Sequence, residues 1–266
     1  MFSAQYEQMK ANVLALILVM LQTSACLCLS VPACSGADEI TAINARISAD
    51  SKNSDLYLKR AALKLKYLDY EACIADLNRS IELKPTADKY FMRAMARREL
   101  GKLADAELDF EKSAQLDPSS QSAFAELACL AAKLRHYEKA KKGFDGLFKL
   151  NPGRLVERSR RAEMYLQMKK PQDALIDIQA VLKKDKDSGG RCHSLLGQAC
   201  LQLHQYDKAA EAFSYAIRKN EFNFEARKGR AEAYEKLGKT KLAQQDRREL
   251  EEDFSEAFHN APFRAK

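Results

Sequence analysis

The sequence predicts an all-α protein, namely an α-solenoid of about six helix-turn-helix repeats with a C-terminal capping helix. Three observations lead to this prediction. The 266 residues include only 10 glycines and 6 prolines, so few residues would interrupt a helix. Apolar residues follow the spacing of amphipathic helices, as in Tyr137–Pro152. A short block of sequence also returns about every 34 residues, which is typical of helical repeat proteins.

The repeated block is clearest at Tyr137–Ala140, which reads YEKA. The six blocks, whose ends lie 33, 34, 34, 35 and 34 residues apart, end at Cys73, Ala106, Ala140, Ala174, Ala209 and Ala243. Twelve positions before each end lies a small residue: Ala61, Ala94, Ala128, Ala162, Gly197 and Ala231. Four positions after each end lies a large residue, which is apolar in all but the last: Leu77, Phe110, Phe144, Ile178, Phe213 and Arg247.

The interval of twelve residues predicts one helix, a short turn and the start of a second helix. Small residues on both helices allow the two backbones to approach closely, and the large residue fills the space beside them. Gly101 and Gly238 are suited to ending a first helix, and Pro171 is suited to opening a second one. One hairpin cannot bury its own apolar stripe, so the hairpins are expected to pack against one another.

The recurring residues resemble the tetratricopeptide repeat (TPR) family over about three quarters of the chain, from Ser54 to Leu250. Tyr165 and Tyr234 occupy the aromatic position of the first helix, and prolines close several repeats. The usual tryptophan is absent, and four repeats carry Arg-Ala where Leu-Gly is usual. The resemblance implies that the first helix of each repeat, here called helix A, lines a concave surface; the second is called helix B.

The predicted division of the chain has four parts. Residues 1–37 are a signal peptide or a membrane or lipid anchor, 38–53 a short N-terminal capping helix and linker, 54–251 the repeat array, and 252–266 the end of the C-terminal capping helix and a tail. The repeats are predicted near 54–86, 87–120, 121–154, 155–189, 190–223 and 224–251. Arg247 suits the polar end that such an array requires.

The apolar run Ala11–Ala33 follows a positive charge and precedes small residues, which is the layout of an export signal. Cleavage is expected after Ala33 or Ala37. Two alternatives stay open. The run is long enough to span a bilayer if it is not cleaved, and Cys26 or Cys34 could carry a lipid, in resemblance to bacterial lipoproteins. We expect an exported protein that is periplasmic, secreted or membrane-anchored. The expected location is the bacterial envelope.

The candidate peptide-binding residues lie on helices A, on the face away from the small-residue contact. They are Leu58, Ala62, Leu65, Phe91, Met95, Arg98, Ala125, Cys129, Glu163, Gln198, Lys228 and Glu232. The first three repeats contribute mostly apolar residues and the last three polar ones, which suits an amphipathic helix or an extended peptide of a partner protein. Alternatively, the amphipathic helix predicted at Ile40–Ile47 caps the array or folds back over the apolar half.

Composition and reactive groups favour binding over catalysis. The net charge is +7, but 44 basic residues interleave with 37 acidic ones, which is typical of a solvated helical surface. The four histidines are scattered, no Cys/His cluster has metal-ligand spacing, and no phosphate-binding loop or nucleophile elbow is present. We predict no enzyme, no catalytic residue, no metal and no cofactor. Cys73, Cys129, Cys192 and Cys200 are interpreted as small buried apolar residues.

The leading hypothesis is a non-enzymatic scaffold or assembly factor that binds other proteins through the concave groove. The alternative is a helical-repeat protein that binds single-stranded nucleic acid. An export signal argues against this alternative, because export removes a protein from cytoplasmic RNA. Basic residues between Arg158 and Lys186 could form a stripe that contacts an acidic partner or an anionic membrane surface, although an ordinary mixed surface is favoured. The oligomeric state is not predicted.

Overall fold

The computed structural model describes residues 36–185 and 190–259. These two ranges contain thirteen α-helices and no strand, so the predicted all-α repeat fold is confirmed. In chain order the helices are α1 (Gly36–Ala49), α2 (Ser54–Lys66), α3 (Tyr70–Leu83), α4 (Ala87–Glu99), α5 (Leu103–Leu116), α6 (Gln121–Lys133), α7 (Tyr137–Leu150), α8 (Leu155–Gln167), α9 (Pro171–Lys184), α10 (Arg191–Gln202), α11 (Tyr206–Lys219), α12 (Phe224–Lys236) and α13 (Thr240–His259). Each even-numbered helix is the helix A of a repeat, and the odd-numbered helix that follows it is helix B.

The chain divides into two compact units between Arg135 and His136. The described part of the N-terminal unit holds α1 to α6, and that of the C-terminal unit holds α7 to α13. Within each unit, a helix A packs against its own helix B, and that helix B packs against the next helix A. This alternation is the stacking that the repeat predicts, because a hairpin of about 30 residues, such as Ser54–Leu83, needs its neighbours to cover its apolar stripe.

Small residues form the contact between helix A and helix B. In the first repeat, Ala61 and Cys73 are fully buried and share a cluster with Leu77. In the second repeat, Ala94 and Phe110 lie in the corresponding cluster. Close packing of this kind leaves no room for larger groups, so the positions of small residues determine where the hairpins touch.

The fifth repeat departs from this arrangement, because its helix A carries glycine instead of alanine. Phe213 on α11 is fully buried and lies against both Gly197 on α10 and Gly229 on α12. A Cβ added to Gly197 would lie 2.6 Å from the Phe213 ring, which is closer than real Cβ atoms approach. The ring therefore occupies space that a side chain takes in the other repeats.

Every hairpin turn contains one residue in the left-handed conformation. Glycine fills this position at Gly101 (φ +75°) and Gly238 (φ +72°), but the other turns use side-chain-bearing residues. They are Leu68, Arg135, Lys169 and His204. In the first turn the Leu68 N–H donates to the Leu65 carbonyl and closes the C-terminal end of α2.

Leu68→Gly is expected to raise the free energy of unfolding by about 1 kcal/mol, because glycine adopts a positive φ without the steric cost of a side chain. Leu68 is 64% exposed, so the substitution removes little packing. Gly101→Ala is the matched control: its Cβ meets no heavy atom within 4 Å, so backbone strain alone should lower stability by about 1 kcal/mol. Urea unfolding followed by far-UV circular dichroism measures both, and equal stabilities would contradict this account.

Helix α1 corresponds to the helix B of an incomplete repeat that precedes the first. Asn44 on α1 accepts a hydrogen bond from Arg60, as Asn78 on α3 accepts one from Arg93. Glu39 and Arg46, which are exposed, stand 34 residues before Cys73 and Ser80, which are buried. In a complete repeat, this face of α1 would be covered by a helix A. Here the face is polar and exposed, which fits a helix that caps the array.

Candidate functional site

Most apolar candidate residues of the N-terminal unit are half-buried: each packs against the core and is also partly exposed on the surface of a helix A. Leu58 and Leu65 on α2 are half-buried and pack against the cluster around Leu77. Phe91 and Met95 on α4 do the same in the second repeat, and the Phe91 ring meets the buried Phe110 ring edge-on, with centroids 5.4 Å apart. These side chains combine packing with a remaining exposed face.

The other candidates in the N-terminal unit differ in exposure. Ala62 is only 8% exposed, whereas Ala125 and Cys129 on α6 are half-buried. Arg98 on α4 forms an ion pair with Glu126 on α6, so its charge is neutralised between two helices A. This pairing was not apparent from the sequence, because the two residues lie 28 positions apart.

One polar candidate of the C-terminal unit contacts the next helix A, and the others differ in exposure. Glu163 on α8 pairs with Arg191 on α10 at 2.7 Å, and both side chains remain nearly half exposed. Gln198 is half-buried, whereas Lys228 and Glu232 on α12 are exposed. The structure therefore brings Glu163 to Arg191, a residue that was not among the candidates.

An arginine–aspartate pair links helix A to helix B in four repeats, and it was not predicted from the sequence. The arginine directly precedes the small residue of helix A, and the aspartate follows 16 residues later. The pairs are Arg60–Asp76, Arg93–Asp109, Arg161–Asp177 and Arg230–Asp246. In each pair the guanidinium donates two hydrogen bonds of 2.5–2.9 Å to a carboxylate that is at most 4% exposed.

Each of these arginines also reaches the preceding helix B. Their further acceptors are Asn44, Asn78, Asp145 and Ser214. One side chain thus joins three helices, which explains why Arg-Ala replaces the more usual Leu-Gly in these repeats. The hydrogen bonds to aspartate outweigh the desolvation that burial causes and keep the pKa of the Arg93 guanidinium raised.

The third and fifth repeats carry an apolar residue in place of the arginine and a small residue in place of the aspartate. The replacements are Leu127 with Gly143 and Leu196 with Ala212. This joint change is the signal that could have revealed the pairs in the sequence. In the fifth repeat, whose two helices lie in one unit, the change indicates that apolar residues can occupy this position in place of an ion pair.

Part of the predicted basic stripe is engaged in ion pairs. Arg158 and Arg161 both bind the buried Asp177 carboxylate, and both guanidinium groups also lie within 5 Å of the Phe148 ring centroid. Lys186 lies outside the described residues. Arg158 and Arg161 therefore stabilise the contact between α8 and α9, and their charges do not form a free cationic surface.

Side chains with catalytic or metal-binding potential are dispersed. His193 stacks on Tyr215 with ring centroids 3.8 Å apart. Within residues 36–185 and 190–259, no group of three metal-ligating side chains is close enough to hold an ion, and no helix is long and apolar enough to cross a membrane. Cys26 and Cys34, the candidate lipid attachment sites, lie outside the described residues.

The cysteines should differ in reactivity. Burial raises the pKa of the Cys73 thiol to about 12, and it also raises the pKa of Cys200, whereas Cys129 is half-buried. Because the thiolate is the reactive form, iodoacetamide at mildly alkaline pH should alkylate Cys129 at least about tenfold faster than Cys73 in the native protein. Peptide mapping by mass spectrometry measures each rate, and urea should equalise them. Equal rates in the native protein would contradict the burial of Cys73.

The stacked hairpins and their buried small residues define an all-α helical repeat protein. Within that class, Tetratricopeptide repeat profiles match residues 87–120 and 194–253. The chain therefore contains tetratricopeptide repeats, and the predicted resemblance to the tetratricopeptide repeat family is confirmed. Proteins of this family are generally non-enzymatic scaffolds that bind other proteins.

Several known proteins are similar to this chain. DnaJ homolog subfamily C member 3 of Gallus gallus is 28% identical over 167 residues, a match that covers 57% of this chain and 33% of the relative. The chain thus spans about a third of that protein's length. A tetratricopeptide repeat protein from Parabacteroides merdae is 19% identical with a TM-score of 0.62, and the match covers 73% of this chain and 77% of that one. YrrB, described as a TPR protein with an unusual peptide-binding site, is 19% identical with a TM-score of 0.63 over 70% of this chain and 96% of its own.

Proposed function

We propose that this protein is a scaffold or assembly factor that binds a peptide or helix of a partner protein on the surface lined by helices A. The observation that carries the proposal is the set of half-buried apolar side chains on neighbouring helices A, including Leu58, Phe91 and Met95. Such side chains keep part of their apolar area in water, and a partner that covers it gains binding free energy.

Two further observations support the proposal. The described helices A present apolar side chains beside charged ones, which suits the binding of an amphipathic segment. YrrB, which has the same fold, carries a peptide-binding site. Fold similarity alone does not identify a partner, so the test must use substitutions of surface residues.

Ala125→Glu tests the groove with little risk to the core, because Ala125 is half-buried and the new carboxylate would extend from α6. Phe91 is a poorer probe, since it packs against Phe110. A partner captured with the wild-type protein from its host would be purified, and its Kd measured for each variant. We expect Ala125→Glu to weaken binding roughly tenfold. Leu108→Glu, at a 56% exposed leucine on helix B, is the control and should leave Kd unchanged. Equal Kd values for both variants would argue against this groove.

We also propose that the protein is exported to the bacterial envelope or beyond, on the basis of the apolar run Ala11–Ala33. The test is the intact mass of the protein expressed from Met1 in its own host. Loss of the residues up to Ala33 or Ala37 indicates cleavage, and a lipid adduct at a new N-terminal Cys26 or Cys34 indicates a lipoprotein. A full-length chain in the membrane fraction indicates an anchor, whereas a full-length chain in the cytosol would refute export.

A further inference from the structure

The surface formed by helices A in the N-terminal unit has charges of opposite sign at its two edges. At the N-terminal ends of these helices lie Asp55, which is exposed, and Asp88, which is half-buried. At their C-terminal ends lie Lys66 and Lys133, which are both exposed. The half-buried apolar residues described above lie between the two edges.

The acidic edge also contains a buried cation. Lys89 is only 1% exposed, and its ammonium donates to the Lys84 carbonyl at 2.8 Å and to Ser54. Burial lowers the pKa of Lys89, and the negative charges of Asp88 and Asp55 partly oppose that effect, so both carboxylates lie near the same ammonium. At this end of α2 and α4, two carboxylates and one ammonium sum to a net charge of −1, and the Lys84 ammonium, which follows α3, also acts on Lys89.

The basic edge keeps a positive excess. Arg98 pairs with Glu126 and lies 3.5 Å from Glu99, so two carboxylates act on one guanidinium. Lys66 and Lys133 add two cations at the same ends of α2 and α6. Three cations and two carboxylates leave a net charge of +1, opposite to that of the acidic edge.

The dimensions of this surface match a helix lying across α2, α4 and α6. Asp55 and Lys66 are eleven residues apart in one helix, which corresponds to about 16 Å at 1.5 Å per residue. The apolar residues between them form two rows four positions apart, about 6 Å wide, as with Phe91 and Met95 on α4. An amphipathic helix of about 10–12 Å diameter presents an apolar stripe of this width, and its flanking side chains reach both edges.

We propose that the partner segment is an amphipathic helix with one basic flank and one acidic flank. Its basic flank faces Asp55 and Asp88, and its acidic flank faces Lys66 and Lys133. This inference rests on the proposed function, since it identifies the kind of partner that the same groove takes. The edge charges fix the direction of the bound helix, because reversing it would place like charges together.

Three synthetic helical peptides with the same apolar stripe test the inference: one with a Lys flank and a Glu flank, one with two Lys flanks, and one with two Glu flanks. Fluorescence anisotropy with the full chain gives each Kd. The mixed peptide should bind roughly three- to tenfold tighter than the other two, and this preference should fade in high salt. In Asp55→Asn/Asp88→Asn, the Lys89 ammonium is left at this edge, so the two-Glu peptide should bind at least as tightly as the mixed one.

A control variant with the same change in charge separates this effect from net charge. Glu71→Gln/Asp105→Asn neutralises two exposed carboxylates on helices B and should keep the wild-type preference. Loss of the preference in both double variants would refute the role of the acidic edge. If the three peptides bind the wild type equally, or not at all, while the natural partner still responds to Ala125→Glu, this inference is wrong and the proposed function stands. If the partner does not respond either, the proposed function fails as well.

Discussion

Replacing Arg230 with methionine is expected to lower the free energy of unfolding by about 3–5 kcal/mol, because a buried carboxylate then loses its counter-charge. Asp246 is 2% exposed, and Arg230 is its ion-pair partner among the described residues. Arg93→Met in the second repeat should cost less, since Arg97 also binds Asp109, at 2.7 Å. The chain has no tryptophan, so urea unfolding is best followed by far-UV circular dichroism.

The double variant Arg230→Leu/Asp246→Ala distinguishes two causes of the lower free energy of unfolding: a buried carboxylate without a counter-charge, and a general loss of packing. It gives the sixth repeat the same pair of residues as Leu196 and Ala212 in the fifth. We expect the double variant to regain most of the lost stability, since an apolar pair replaces an ion pair with little net cost. If the double variant is as unstable as Arg230→Met, the buried charge is not the cause.

Phe213→Ala is expected to cost about 3–5 kcal/mol, toward the upper part of that range. Phe213 is fully buried against Gly197 and Gly229, and it belongs to one cluster with Ala209 and Ala226. Two glycines carry no side chain that could relax into the vacated volume, so the cavity would stay open. The loss should be visible both in the urea midpoint and in the thermal midpoint.

Leucine at the same position provides the matched comparison. Phe213→Leu together with Gly197→Ala reproduces the pair Leu77 and Ala61 of the first repeat, in which alanine occupies part of the volume. This double variant should lose no more than about 1.5 kcal/mol. Gly197→Ala alone should cost about 1–3 kcal/mol, since its Cβ would press on the Phe213 ring. A neutral Gly197→Ala would contradict the packing described here.

The hairpins and their core were predictable from the sequence, because both depend on local spacing. The twelve-residue interval between Ala61 and Cys73 needs only helix geometry and a short turn, and the structure buries both residues. The Arg60–Asp76 pair was not predicted, since an arginine next to a small residue was interpreted as a departure from the family pattern. The ion pair between Arg98 and Glu126 could not be predicted either, because it depends on how successive repeats are placed.

The alternation of ion pairs and apolar pairs also bears on folding errors. Repeats with similar sequences are prone to exchanging partners, either within a chain or between chains. If α12 formed a hairpin with α11 instead of α13, Arg230 would face Ala212 and would lose its ion pair with Asp246. Each incorrect pairing of this kind leaves a charge uncompensated, so the chain encodes a penalty against shuffled hairpins and domain-swapped oligomers.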